Sequence, residues 1–186
     1  MQLITRKVEI DYGHRVMNER MKCYNNHGHR GVIELSFSYN SIKGIGYQID
    51  FKEIKRIGGQ WLDDMLDHCF IANPHDTVMI EACKKVCSKL WIMSLNGKGN
   101  YCNPTAENIS KEIFLAMETL FSNFEDLQIS LVKFFETPNC WIETTESSLS
   151  VNDRINFNSV NKEIILNYAK YKGMVEYDDR KIGENN

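Results

Sequence analysis

Over the first forty residues apolar and polar side chains alternate, and that alternation predicts two strands. Leu3, Val8 and Ile10 stand among polar neighbours over residues 2–10, with His14 just past the end of the strand they predict. Residues 32–39, Val-Ile-Glu-Leu-Ser-Phe-Ser-Tyr, alternate more cleanly and predict its antiparallel partner, so that His27-Gly28-His29 opens the second strand. Residues 40–46 have turn composition, and Gly44-x-Gly46 is too short for a dinucleotide loop. At Asp50, a good N-cap, the period changes to that of a helix carrying Ile54, Ile57, Trp61, Leu62, Met65 and Leu66, which Gly58-Gly59 should break or bend. A second helix is predicted over residues 77–89, and a short buried strand over Leu90–Leu95 before the polar turn of residues 96–100.

The strongest helix signal begins at Asn103-Pro104-Thr105-Ala106-Glu107-Asn108, where a proline, a capping threonine and an acid all suit a first turn. Ile109, Ile113, Leu115, Met117, Leu120 and Phe121 then form its apolar face. Leu127–Phe135 predicts a strand ending at Glu136, with Trp141–Thr145 as its hairpin partner. Past residue 146 the chain turns polar, with a helix predicted at 159–171, and Asp178-Asp179-Arg180-Lys181 and the final Glu-Asn-Asn expected to be mobile. Antiparallel strands separated by helices make an α+β domain with helices on one face of a sheet. Residues 1–146 form that domain on this reading, and residues 147–186 an extension.

Composition narrows the setting. A chain of 186 residues, 42% hydrophobic, suffices for one buried core. Lys and Arg number 22 against 25 Asp and Glu, a net charge of -3, which gives no basic surface for nucleic acid. No stretch approaches the roughly 20 apolar residues of a membrane span, and Met-Gln-Leu-Ile-Thr-Arg-Lys is no export signal, so a cytoplasmic protein is expected. Six cysteines, at 23, 69, 83, 87, 102 and 140, are then expected as free thiols, with Cys83 and Cys87 four apart on one helical face.

The candidate chemistry centres on Cys23-Tyr-Asn-Asn-His27-Gly28-His29. Histidines two apart on a strand project from the same face, and Gly28 between them would leave room for an ion. A catalytic zinc usually takes three protein ligands, and His14 is the nearest third. Cys23 is either a further ligand or a reactive thiolate beside the metal. Asp67-His68 offers a carboxylate beside an imidazole, and Glu136 an acid at a strand end.

In chain order stand His14, then Cys23 three residues before His27-Gly28-His29, Gly46-Tyr-Gln-Ile-Asp50-Phe51, Leu66-Asp67-His68, Asn103-Pro-Thr-Ala-Glu107-Asn108, and Glu136-Thr137. This ordered set resembles the 6-pyruvoyltetrahydropterin synthase family over about residues 5–145. The Cys23 to His27 spacing resembles the branch that forms a 6-carboxytetrahydropterin for 7-deazaguanine (queuosine precursor) synthesis. The resemblance implies a tunnelling fold, in which a four-stranded antiparallel sheet carries helices on one face. It further implies subunits joined edge to edge into a barrel-like trimer that can stack into a hexamer, with active sites between subunits. His14, His27 and His29 would hold Zn2+; Cys23 would be the general base or proton shuttle; Asp67 and His68 would form a second proton-transfer pair. Glu136 would bind the pterin's pyrimidine edge, and Thr105 and Glu107 match positions near that ring, although capping explains them equally. The implied reaction is that of a lyase, taking 7,8-dihydroneopterin triphosphate to the 6-carboxy product with loss of acetaldehyde and triphosphate.

Alternatives are the pyruvoyl-forming synthase and a non-catalytic, zinc-stabilised pterin-binding homologue. A generic zinc hydrolase would need a His-Glu-x-x-His helix, which is absent from the sequence. The chain departs from the family pattern at Tyr12-Gly13, where Ala-Ala is common, at Gly31, where an aromatic is common, in its longer 69–103 stretch, and in the tail.

Overall fold

Alternation along the first forty residues becomes a long hairpin in the computed structural model, which describes residues 2–124 and 126–174. Strands β1 (Leu3–His14) and β2 (His27–Tyr39) pair antiparallel, with Leu3 opposite Ser38 and His14 opposite His27. The helical pattern after Asp50 gives α1 (Phe51–Ile54), a π-helical turn (Lys55–Gly59) and α2 (Gln60–Met65). Asp50 caps the start by accepting from the Lys52 amide at 2.8 Å.

Gly58-Gly59 therefore does not break the helix, which passes through it as one extra-wide turn. What Gly58 provides is closeness: a Cβ there would lie 2.9 Å from Met117 Sδ and 3.1 Å from Leu35 Cδ1. The missing side chain lets the helix press onto both sheet and neighbouring helix.

β3 (Cys69–Ala72), α3 (Thr77–Lys85) and β4 (Leu90–Ile92) form a parallel crossover unit. The helix predicted to residue 89 stops four residues earlier; Cys83 is buried in it, while Cys87 lies past its end at φ 54° and is exposed. These two cysteines thus share no helical face. The strand predicted as buried over Leu90–Leu95 is short and at the sheet edge, open on one side, and the buried apolar residues Met93 and Leu95 follow it.

α4 (Ala106–Leu120) starts at Thr105, whose side chain accepts from the Asn108 amide. β5 (Leu127–Thr137) and β6 (Cys140–Thr145) complete the sheet. Strand order is β4-β3-β1-β2-β5-β6. The expected four-stranded antiparallel sheet is thus the β1-β2-β5-β6 part of a mixed six-stranded one. β3 joins β1 in parallel only at Tyr12–His14, and its run of four residues is too short for periodicity to reveal.

One face of the sheet is the core. Ile10 and Tyr12 of β1, Ile33, Leu35 and Phe37 of β2, and Val132 and Phe134 of β5 are buried against Ile54, Ile57, Trp61 and the apolar face of α4. Across the other face Lys7 stands opposite Glu34, Glu34 opposite Lys133, and Lys133 opposite Glu143, with the last pair in contact at 3.1 Å. This row alternates in sign from β1 to β6.

The polar C-terminal segment carries α5 (Val151–Tyr171), eight residues earlier in its start than the predicted 159. Ser150 and Asp153 form a reciprocal capping box there, which supplies a helix start where the apolar period is weak. Phe157, Ile165 and Ala169 bury against the core, and Asn161 donates to Ser94 Oγ at 2.6 Å. Asp178-Asp179-Arg180-Lys181 and Glu184-Asn185-Asn186 lie outside the described residues. No described helix is long and apolar enough to cross a membrane.

Candidate metal centre

Because β1 and β2 pair with His14 opposite His27 and Tyr12 opposite His29, all four side chains leave the same face of the sheet. The imidazole centroids are 4.5 Å (His14 to His27), 5.2 Å (His14 to His29) and 4.9 Å (His27 to His29) apart. One ring nitrogen from each lies within 4.8 Å of the others, a spacing suited to one shared ion. Gly28 does not make room for that ion, since it faces the opposite way. A Cβ on it would sit 3.1 Å from the Tyr12 carbonyl oxygen, so Gly28 serves the close pairing of the two strands.

Backbone carbonyls set the tautomers. His14 Nδ1 donates to the Pro104 carbonyl at 2.7 Å, and His27 Nδ1 donates to the Asn25 carbonyl at 2.7 Å. A carbonyl oxygen only accepts, so each Nδ1 carries the proton and each Nε2 keeps its lone pair. His14 Nε2 and His29 Nε2 are buried and have no hydrogen-bond partner among the described residues. Burial pulls the His14 pKa down to about 4 against the opposing Pro104 bond, and burial likewise lowers that of His29. His14 is thus neutral at pH 7, the form that binds a metal, and the shift at His29 favours the same form.

Glu136, on β5, brings Oε1 to 3.7 Å from His14 Nε2 and 4.0 Å from His29 Nε2. With His14 neutral, the closer contact is an approach of lone-pair-bearing groups and not an ion pair. Orphaned imidazole nitrogens converging beside a carboxylate fit a divalent cation of the zinc type.

The other predicted residues are placed separately. Cys23 lies exposed in the loop between β1 and β2 and is outside the three-histidine cluster. That loop is closed by Val16 N–H donating to Cys23 O at 2.8 Å, and Arg15 ties it to Asp76 with bonds of 2.5 and 2.6 Å. Asp67 and His68 form their own group with Asp11: His68 Nδ1 is 2.6 Å from Asp67 Oδ2, and Asp67 Oδ1 accepts from the Asp11 amide at 2.7 Å. His68 sits at φ 53°, in the left-handed region uncommon for a side chain, and its imidazole is 76% exposed. Arg30 grips Asp11 from the neighbouring strand at 2.9 and 3.0 Å, which holds the Asp11 carboxyl below its usual range. Thr105 is the cap of α4, and Glu107 is exposed in its first turn, one and three residues past the carbonyl that holds His14.

Three contributors were not picked out from the sequence as members of the site. Pro104 acts through its carbonyl, which residue identity does not encode. Asn103 holds the Pro104 segment by accepting from Met17 N and Asn73 Nδ2 and donating to Met17 O. Tyr12 departs from the family's usual alanine, and alternation along β1 is the signal that places it on the His14 face.

Residues 3–147 match the family model described as 6-pyruvoyl tetrahydropterin synthase. The chain is 34% identical over 142 residues to the 6-carboxy-5,6,7,8-tetrahydropterin synthase of Rickettsia felis, covering 75% of this chain and 96% of that protein. With the enzyme of that name from Rickettsia bellii it shares 35% over 144 residues, again 75% and 96%. The solved 6-pyruvoyl tetrahydropterin synthase of Caenorhabditis elegans superposes with a TM-score of 0.53 at 21% identity, covering 78% of this chain and 96% of that one, a likeness of fold.

Proposed function

Because the chain belongs to the 6-pyruvoyl tetrahydropterin synthase family, we propose that it is an enzyme of the 6-carboxy-5,6,7,8-tetrahydropterin synthase type, a carbon-carbon lyase. Its substrate on this proposal is 7,8-dihydroneopterin triphosphate, and its product a 6-carboxytetrahydropterin, with acetaldehyde and triphosphate released, for 7-deazaguanine synthesis in the cytoplasm. The observation that carries the proposal is the cluster of three imidazoles with ring nitrogens within 4.8 Å of one another, two of them with tautomers set by backbone carbonyls, and with Glu136 beside His14 and His29.

His14, His27 and His29 would hold zinc. Bound there, zinc supplies Lewis acidity, which eases proton removal from the hydroxyl-bearing side chain of a substrate. Glu136 accepts the two N–H groups of the pyrimidine edge, a bidentate match for one carboxylate. Cys23, on a loop pinned by Arg15 and Asp76, takes the side-chain proton. Asp67 orients the His68 imidazole through the 2.6 Å bond for the second transfer. Thr105 and Glu107 contribute near the ring from the start of α4.

His68 is exposed and lies outside the histidine cluster of its own chain, and among the described residues β1 has a strand partner on its β3 side only at Tyr12–His14. We therefore place Asp67 and His68 in service of a neighbouring copy's site, in a trimer-based ring joined through the free length of β1 and the outer edge of β6. Residues 147–174 are an addition to the family domain, packed onto it through α5.

The test is incubation of zinc-loaded protein with 7,8-dihydroneopterin triphosphate, with products identified by mass spectrometry beside Cys23→Ala. A 6-carboxytetrahydropterin with acetaldehyde, lost in the variant, is the expected result. A pyruvoyl product would instead assign the triphosphate-eliminating reaction, and no turnover by an intact oligomer would remove the enzyme assignment.

A further inference from the structure

One group at the site is left without a task once the histidines and Glu136 are assigned. Tyr12 is 4% exposed, and its ring lies against His14 (centroids 5.3 Å apart), His29 (5.8 Å) and Phe134 (5.8 Å). Room for the ring comes from Gly31 on β2, where a Cβ would stand 3.1 Å from Tyr12 Cε1 and 2.8 Å from Phe134 Cε2. The ring therefore reaches from β1 across β2 toward β5, the strand that bears Glu136. Its hydroxyl is fully buried and has no hydrogen-bond partner among the described residues, as with the neighbouring His14 and His29 Nε2 atoms.

A buried hydroxyl without a partner costs folding energy that a phenylalanine of the same shape would not. Packing accounts for the ring and leaves the oxygen unexplained. A phenol keeps its proton at neutral pH, so the buried hydroxyl at this place has a hydrogen to give. The pyrimidine edge of a pterin alternates N–H donors with carbonyl and ring-nitrogen acceptors. A carboxylate satisfies the donors and repels the acceptors, whereas a phenol O–H can donate to an acceptor that the carboxylate cannot serve.

We propose that Tyr12 is a substrate-binding, specificity-determining residue of this site, its hydroxyl donating to an acceptor atom of the ring whose N–H groups Glu136 receives. The proposal rests on the pterin assignment above. Gly31 is the position that admits the Tyr12 ring, and together they make a wall that recognises the heterocycle rather than its side chain.

Tyr12→Phe tests this in the full-length, zinc-loaded protein with 7,8-dihydroneopterin triphosphate. Losing one hydrogen bond to a neutral acceptor is expected to raise KM about threefold to tenfold with kcat held within about twofold. Zinc content is expected to match wild type, and Tm to match or exceed it, because an unsatisfied hydroxyl has been removed. An unchanged KM overturns the proposal, and so does a fall in Tm with KM unchanged, which would give the hydroxyl to the fold. A raised KM accompanied by lost zinc also overturns it, since the effect would then pass through the metal. A wild-type protein that neither turns over nor binds the pterin removes the functional assignment and this inference together, and the wild type alone reports that outcome.

Discussion

His14 is held at one ring nitrogen by the Pro104 carbonyl and left free at the other, and the same asymmetry recurs at His27 with Asn25. Such second partners fix ring orientation before any ligand arrives, which cuts the ordering cost of binding. Each imidazole then matters for its lone pair. His29→Ala, which removes one of the three proposed zinc ligands, is expected to drop zinc content from about one per chain toward zero with little loss of fold. Metal analysis after dialysis against a weak chelator, read beside the circular dichroism spectrum, checks it; full zinc retention would mean the third ligand lies elsewhere. The histidine trio was legible because spacing on a strand fixes which side chains share a face. The role of Gly28 was misread for the same reason inverted: a residue between two ligands on a strand faces away from them. Pro104 was illegible, since nothing in a side chain announces what its carbonyl will accept.

Among the elements, the ones with clean periods were legible, namely β1, β2, α4 and the β5-β6 hairpin. β3 is set by pairing to its neighbours rather than by its own pattern, β4 is a shorter strand than the one expected over Leu90–Leu95, and the early start of α5 comes from a capping box. What ties these less legible pieces together is Glu112 of α4, fully buried. It accepts from Trp91 Nε1 at 2.6 Å, Ser94 N at 2.5 Å, Ser94 Oγ at 3.0 Å and Leu95 N at 3.1 Å, and Ser94 in turn receives Asn161 of α5. Burial pushes the Glu112 carboxyl up to about 7 from an ordinary 4.5, against the donors that favour its anion. With the folded value above the unfolded one, the folded state binds the proton more tightly. Its contribution to stability is therefore whole below about 4.5 and declines as pH rises through about 7. The gap in stability between wild type and Glu112→Ala should be wider at about pH 5 than at about pH 8, measured by urea unfolding. An equal gap at both would show that the carboxyl titrates alike folded and unfolded. At either pH the alanine variant is expected to lose at least ~2 kcal/mol, because two buried backbone N–H groups and the half-buried Trp91 indole N–H lose their acceptor.

For the molecule as a whole, the proposed ring puts the free length of β1 against the outer edge of β6. Lys7 lies at the first edge and Glu143 at the second, the two ends of the row that runs through Glu34 and Lys133. Lys7→Glu and Glu143→Lys are each expected to shift the protein toward smaller species at low salt, and the double exchange to restore the ring, as read by light scattering. If the double variant stays dissociated, these two positions do not meet across the junction. Four strands carrying charges of alternating sign necessarily begin on one sign and end on the other. The sheet is thus polar from side to side, as a bar magnet is from end to end. Two copies brought together by their β1 edges would set lysine against lysine, and by their β6 edges glutamate against glutamate, so a twofold dimer through either edge is disfavoured by the row itself. Only head-to-tail contacts keep the alternation going, and contacts of that kind are the ones that build a ring when their rotation closes, so the row selects against an edge-to-edge pair and is compatible with the proposed ring.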